Sequence, residues 1–278
     1  MPQPTNGTAR PPELRISPLS QVSAVNAIAI DGPAASGKST VGFLVGQSLG
    51  FLFFDTGVMY RAVAWAIQDR GISSTDSEAV GRMAEELPIG VSAPSSEEPD
   101  GRQATIQIGE LDVTWSIRSP EVDRIVSVVA ANSQVRQALT QKQRLIGLEH
   151  GSGGAGVVMV GRDIGTVVLP EAPLKIYLEA PIEERARRRF LELSQRGKDA
   201  KLARILEDMR RRDQIDSGRA VAPLRPARDA LRIQTYGVTV QEVVDQILSL
   251  AEKVLGVGPV SCGKEDISSE GSSGIALV

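Results

Sequence analysis

Gly32-Pro33-Ala34-Ala35-Ser36-Gly37-Lys38-Ser39 fits the pattern G-x-x-x-x-G-K-[ST] without a substitution, and it follows an apolar run, Val25 to Ile30, that reads as a buried strand. The glycines let the backbone turn around an anion with its N–H groups facing inward. Lys38 supplies a cation for the outer phosphates, and the Ser39 hydroxyl is placed to bind Mg2+ at a helix N-terminus. Both flanks that the pattern requires are present, the strand before it and a helical pattern after it, carried by Val41, Leu44, Val45 and Leu49 and closed by Gly50. Gly32 to Thr40 is therefore the expected seat of a nucleoside triphosphate.

Further along, Phe51–Phe54, Val157–Val160, Leu174–Leu178 and Leu231–Ile233 are short apolar runs without strict alternation, as expected of strands buried on both faces. Helical patterns lie between them, which predicts an α/β fold with a parallel sheet and ligands at the carboxyl ends of its strands. Three segments fall at such ends: the cradle, Asp55-Thr56-Gly57 and Gly161-Arg162-Asp163. About a hundred residues separate the second and third strands, so residues 62–154 are expected to form an inserted mixed α/β subdomain. Within it, Val58 to Arg70 and Ser77 to Leu87 read as helices, and Pro88 to Trp115 as a small antiparallel sheet. Ser119-Pro120 starts helices that continue to Glu149. Pro181 begins another helix, in which Glu183 and Glu184 are spaced to pair with Arg187 and Arg188. Gln195-Arg196-Gly197-Lys198 interrupts it before Lys201 to Arg212 resumes, so residues 188–202 are a candidate lid. Thr239-Val240-Gln241-Glu242 is a capping box opening a last helix to Leu255. Residues 1–24, with five prolines and no apolar signal core, and residues 256–278 are expected to be disordered extensions.

Composition narrows the chemistry. The chain has 278 residues, one histidine and one cysteine. A His-rich metal site and an intramolecular disulfide are excluded, and a Ser-His-Asp triad has little scope. His150, before a Gly-Ser-rich stretch, reads as a helix-end surface residue, and Cys262 suits a reducing compartment, with cytoplasm the expectation. No apolar stretch reaches the ~18 residues of a membrane span. From Glu183 to Arg228, 12 Arg and 2 Lys face 8 Asp and Glu, whereas the whole chain carries −3. Phe190 is the one aromatic residue among these arginines, which does not make a base-stacking surface. A compact polyanion near the cradle is the expected partner, with no nucleic acid and no membrane.

Four segments, GPAASGKST at Gly32 to Thr40, DTGVMYR at Asp55 to Arg61, GRDIGTVV at Gly161 to Val168 and RDQIDSGRAVAP at Arg212 to Pro223, resemble the motif set of bacterial cytidylate kinases. The resemblance covers roughly Val25 to Leu255. It implies a P-loop kinase core with a five-stranded parallel sheet (25–61 and 155–255), an acceptor-binding insertion, and transfer of the ATP γ-phosphoryl group to CMP and dCMP with Mg2+. Gly32 to Thr40, with Arg188 and Arg189, become the implied ATP site, with Lys38 also catalytic and Ser39 on the metal. Arg61, Arg162, Arg212 and Arg219 become the arginines that grip the CMP phosphate and the group in flight, with Arg185 also near ATP on closure. Thr56 contacts the acceptor nucleotide and Asp216 reads the sugar hydroxyls. Tyr60 lies in the same motif, with core packing as its other reading. Ser127, Arg136 and Asp163 match the cytosine-reading positions, and a carboxylate with an arginine and a hydroxyl suits the donors and acceptors of cytosine. Asp163 also stands where a carboxylate could hold Mg2+ through water.

The same roles follow from electrostatics. A nucleoside monophosphate carries nearly two negative charges at pH 7, and it must approach a triphosphate of like sign. Fixed guanidiniums opposite Lys38 neutralise that charge and align the groups, and a deprotonated phosphate oxygen needs no general base. Two departures stand out: Gln234 replaces a common Asp near the adenine end, and Ser36 stands where relatives often have Ala. Kinases for UMP, AMP or shikimate and a nucleotide-dependent switch are the competing readings, although no N-K-x-D or D-x-x-G motif is present. A nucleic-acid-dependent ATPase is a more distant one. A monomer is expected.

Overall fold

A computed structural model describes residues 25–94, 100–152, 156–195, 197, 200–219 and 221–260. The expected N-terminal extension, Cys262 and most of the tail lie outside the described residues, as do three positions of the expected lid. In chain order the phosphate cradle lies between β1 (Ala27–Asp31) and α1 (Lys38–Leu49), followed by β2 (Leu52–Asp55) and α2 (Gly57–Asp69). Next come α3 (Ser77–Glu86), β3 (Ile89–Ser92), β4 (Thr105–Ile108), β5 (Leu111–Asp112), α4 (Pro120–Ala131) and α5 (Ser133–Ser152). The chain then returns through β6 (Val157–Gly161), β7 (Leu174–Glu179), α6 (Ile182–Gln195), α7 (Leu202–Gly218), β8 (Leu231–Gln234) and α8 (Val240–Leu255).

Five strands form one parallel sheet in the order β2-β6-β1-β7-β8, with the cradle strand at its centre. A three-stranded antiparallel sheet, β3-β4-β5, stands apart from it, as the alternating stretch predicts. The two-residue period of the strands sorts the core. Ala27, Ala29, Val157 and Met159 feed one face, and Ile28, Ile30, Val158 and Val160 feed the other. On the second face α1 and α8 cover the sheet through Val41, Val45, Val244 and Ile247. On the first, Ala27, Phe54 and Met159 share a continuous cluster with Val80, Met83, Ile106, Val113, Ile117 and Val122 from between β2 and β6.

Each strand of the large sheet ends one residue beyond the apolar run read from sequence, at Asp31, Asp55, Gly161, Glu179 and Gln234. The ladder explains this: Asp31 pairs with Gly161, Asp55 with Val160, and Glu179 with Gln234, so backbone pairing continues where hydrophobicity stops. Other local signals behave as expected. Ser119 caps α4 with Pro120 at its first turn, and Thr239 with Glu242 forms the reciprocal capping box of α8. α7 is longer than its apolar pattern, running on to Gly218. Glu184 pairs with both Arg187 and Arg188, each at 2.9 Å, while Glu183 turns to Arg210 at 3.8 Å instead of Arg187.

Gly42 fixes the distance between α1 and the sheet. A Cβ there would lie 2.5 Å from Val160 Cγ1 and 3.2 Å from Phe53 Cε2. Gly42→Val is expected to cost about 1–3 kcal/mol through overpacking, read as a lowered urea midpoint with an unchanged m-value.

Candidate active site

The cradle wraps its own lysine. Gly32 has φ 152° and Gly37 φ 92°, and Ala35 adopts the left-handed region at φ 57° without being glycine, a conformation that concentrates backbone N–H groups on one side. Lys38 is buried, and its Nζ donates to Pro33 O at 2.6 Å and Ser36 Oγ at 3.3 Å. Burial lowers its pKa well below the usual lysine value, the like charge of Arg162 lowers it further, and Asp55 and Asp31 oppose both. An anion at this position restores the balance.

Ser39 Oγ donates to Asp55 Oδ2 at 2.7 Å, while Gly57 N donates to Asp55 Oδ1 at 2.9 Å. A hydroxyl beside a carboxylate is an oxygen donor set suited to Mg2+, which binds through one or two protein oxygens with phosphates and water.

Opposite the cradle, the carboxyl end of β6 and the helix α7 bring three guanidiniums around one carboxylate. Asp216, buried, pairs with Arg162 at 3.1 Å and with Arg219. Arg212 forms no ion pair among the described residues, and crowding by protein lowers its pKa, with Arg162, Arg61 and Arg219 close enough to contribute as like charges and Asp216 opposing. Arg61 donates to Ile117 O at 3.2 Å and pairs with Asp123 of α4 at 2.8 Å. The four arginines named from sequence thus share one neighbourhood, and Arg162 and Arg212 both act on Lys38. Arg219 Nε is buried with no hydrogen-bond partner among the described residues.

Thr56, also buried, donates through Oγ1 to Val160 O at 3.0 Å, which joins the ends of β2 and β6. Arg136 pairs with Asp163 at 2.7 Å, both buried, and its guanidinium lies 5.8 Å from the centre of the Tyr60 ring. Burial raises the Asp163 carboxyl and Arg136 counteracts it. Arg136 Nε and Gln143 Nε2 are buried with no hydrogen-bond partner among the described residues, beside this pair and Tyr60 respectively. Ser127 stands apart, exposed on α4, its hydroxyl making no hydrogen bond to the described residues. Arg188 donates to Thr235 Oγ1 at 3.0 Å and to Thr235 O, and Thr235 Oγ1 donates to Ser36 O at 3.1 Å, so Arg188 reaches the cradle's outer side. Arg189 instead pairs with Glu192 on its own helix at 2.7 Å.

Asp31 was not legible as a site residue because it follows the apolar run. Its Oδ1 accepts from Ile164 N and its Oδ2 from Gly165 N, both at 2.8 Å. The end of the cradle strand is thereby tied to the tight turn, Ile164–Val168, that follows Arg162 and Asp163. A charged residue closing an apolar strand directly before Gly32 was the available signal.

The sequence model of the family described as cytidylate kinase matches residues 28–253. A cytidylate kinase of Roseiflexus castenholzii is 50% identical over 82% of this chain and 94% of its own length. One of Desulfitobacterium hafniense is 47% identical over 84% and 95%, and one of Stutzerimonas stutzeri 44% over 82% and 96%.

Burial raises the Asp31 pKa from 3.8 to about 6, against its two backbone hydrogen bonds. The folded state therefore holds this proton more tightly than the unfolded chain, and the stabilisation it gives is complete below pH ~4 and lost as pH rises through ~6. Relative to Asp31→Asn, the wild type is expected to lose up to about 3 kcal/mol of unfolding free energy between pH 4 and 7, measured by denaturant titration of both proteins across that range.

Proposed function

The chain belongs to the cytidylate kinase family, and from that premise we propose which residues carry its transfer of the ATP γ-phosphoryl group to CMP and dCMP. The observation that carries the assignment is the cluster of Arg162, Arg212 and Arg219 about the single carboxylate of Asp216, within electrostatic reach of Lys38. Three positive charges on one negative leave a net charge near +2, matched to a nucleotide phosphate at neutral pH. The acceptor phosphate binds there, and Arg61 completes the grip from α2.

Gly32 to Thr40 hold the ATP phosphates, with Lys38 at the transferred group and Arg188 at the donor's outer side. Arg189 joins the donor site when the lid, 188–202, closes. An acceptor phosphate oxygen attacks the γ-phosphorus, the bond to the β-phosphate bridging oxygen breaks, and ADP leaves. Lys38, Arg162 and Arg212 stabilise the charge on the moving group, and no proton needs removal. Ser39 would hold Mg2+ together with the triphosphate, and the ion would supply further positive charge to the phosphate oxygens. The base pocket lies between the core and the insertion, 62–154: Asp163 of the core and Arg136 of the insertion, with Ser127 moving in from α4, read cytosine, Tyr60 forms one wall and Thr56 lines the floor. Asp216 exchanges its arginines for the sugar hydroxyls.

Local pairing of the basic helices supports small-molecule partners over nucleic acid: Arg187, Arg188, Arg189, Arg210 and Arg211 each have a carboxylate within 4.0 Å. No helix among the described residues is long and apolar enough to cross a membrane. We place the protein in the cytoplasm as a monomer.

A coupled ADP-release assay with Mg·ATP across CMP, dCMP, UMP, AMP and shikimate tests the acceptor; greater turnover of any of the last three than of CMP would overturn the base assignment. Arg162→Ala is expected to lower kcat by about 10³–10⁵ while leaving ATP-analogue binding within a few-fold. Unchanged turnover would remove Arg162 from the catalytic group.

A further inference from the structure

The geometry points to Arg185 as a strut that couples occupancy of the triphosphate cradle to the acceptor helix, through an ion pair between its buried guanidinium and the half-buried carboxylate of Asp213. The inference rests on the reading that the cradle takes ATP and α7 takes the nucleoside monophosphate.

Arg185 is buried although it is charged and lies on α6. Its Nε donates to Ala180 O at 3.0 Å and its Nη1 to Ala34 O at 3.2 Å. Its Nη2 meets Asp213 Oδ2 at 2.7 Å and its Nη1 Asp213 Oδ1 at 3.4 Å, a two-pronged contact of guanidinium on carboxylate. All three nitrogens are engaged by protein, so Arg185 is a positioning residue and not a phosphate ligand. An ion pair of this kind adds little net stability over apolar side chains, which leaves geometry as its contribution.

That geometry bears on the anion seat. No peptide bond among the described residues is cis, so the carbonyl of Ala34 and the N–H of Ala35 point in opposite directions across their shared C–N bond. Holding Ala34 O from outside fixes the direction of the Ala35 N–H, at the residue whose φ of 57° is unusual for alanine. Thr235 holds Ser36 O in the same manner and thereby fixes the N–H of Gly37. A phosphate oxygen accepting from the Ala35 N–H polarises that peptide, strengthens Ala34 O as an acceptor, and tightens its hold on Arg185. Arg185 in turn holds Asp213, which directly follows Arg212 and lies one helical turn before Asp216. Donor binding thus steadies the face of α7 that presents Arg212, Asp216 and Arg219. By reciprocity the acceptor tightens the donor by the same factor.

Calorimetric titration of the full chain tests this with CMP, with and without saturating Mg2+ and the β,γ-imido analogue of ATP. The analogue is expected to tighten CMP binding by about fivefold or more in the wild type. In Asp213→Asn and in Arg185→Gln that ratio should fall to within about twofold of one, and the double variant should fall no further, since the two residues act as one unit. A ratio of one in the wild type, a full ratio in Asp213→Asn, or independent effects in the double variant would overturn the coupling. Asp213→Glu, which keeps the charge on a longer arm, serves if Asp213→Asn does not fold; it should lower the ratio, and an unaltered ratio counts against the strut. A separate arm needs no acceptor: Arg185→Gln should weaken binding of the analogue alone by about tenfold, and unchanged affinity there overturns the pinning of Ala34. Absence of CMP turnover by the wild type would instead sink the acceptor reading, leaving the donor arm to decide the strut.

Discussion

Guanidinium groups gathered at one place, which we assign to the acceptor phosphate, repel one another in its absence, and the fold must hold them together. It does so with carboxylates, Asp216 and Asp163 buried and Asp213 half-buried. Asp216 stands between Arg162 and Arg219, Asp163 holds Arg136, and Asp213 holds Arg185. Each carboxylate is contributed by an element other than that of at least one of its arginines, so the pairs also join elements: α7 to the end of β6, α5 to the same end, and α6 to α7. Removing either partner of such a pair leaves an uncompensated charge in a low-dielectric setting, whose cost commonly reaches ~3–5 kcal/mol. Site assembly and fold integrity are therefore one problem in this protein.

The sheet solves the other half of that problem. Residues facing alternate sides along β1 and β6 separate two apolar clusters, and only at the carboxyl ends, where that alternation stops, do charged side chains emerge together. Lys38, Asp55, Arg162 and Asp163 come from different segments and are neighbours solely because β1, β2 and β6 lie side by side in parallel register. A parallel arrangement places all these ends on one edge, whereas antiparallel strands would have divided them between two.

Much of this was legible in the chain. The cradle, the five parallel strands, the small antiparallel sheet, and the caps at Ser119 and Thr239 carry local signals, because each depends on residues a few positions apart; only β8, at the sheet edge, departs from the expected burial on both faces, with Ile233 alone buried. The arginines we assign to the acceptor site stand out only through four motifs taken together, since a lone arginine on a helix has solvent as its ordinary neighbour. Asp31, Gln143, Asp213 and Thr235 escaped notice for the opposite reason. Their roles depend on partners far away in sequence, as with Thr235 and Ser36 or Asp31 and Gly165, and no local periodicity encodes such a meeting. Strand ends were misjudged by one residue each because hydrophobicity marks burial while the ladder follows backbone pairing, and that single residue is where Asp31 and Asp55 lie.

The long segment between β2 and β6 does not own its apolar interior. Val80, Ile106, Val113 and Val122 touch the same cluster as Ala27, Phe54 and Met159 of the sheet, with no polar layer dividing them. Cutting that segment away would bare one whole face of the sheet to water, so the part of the chain that sets the acceptor side and the part that carries the cradle stand or fall as one apolar body.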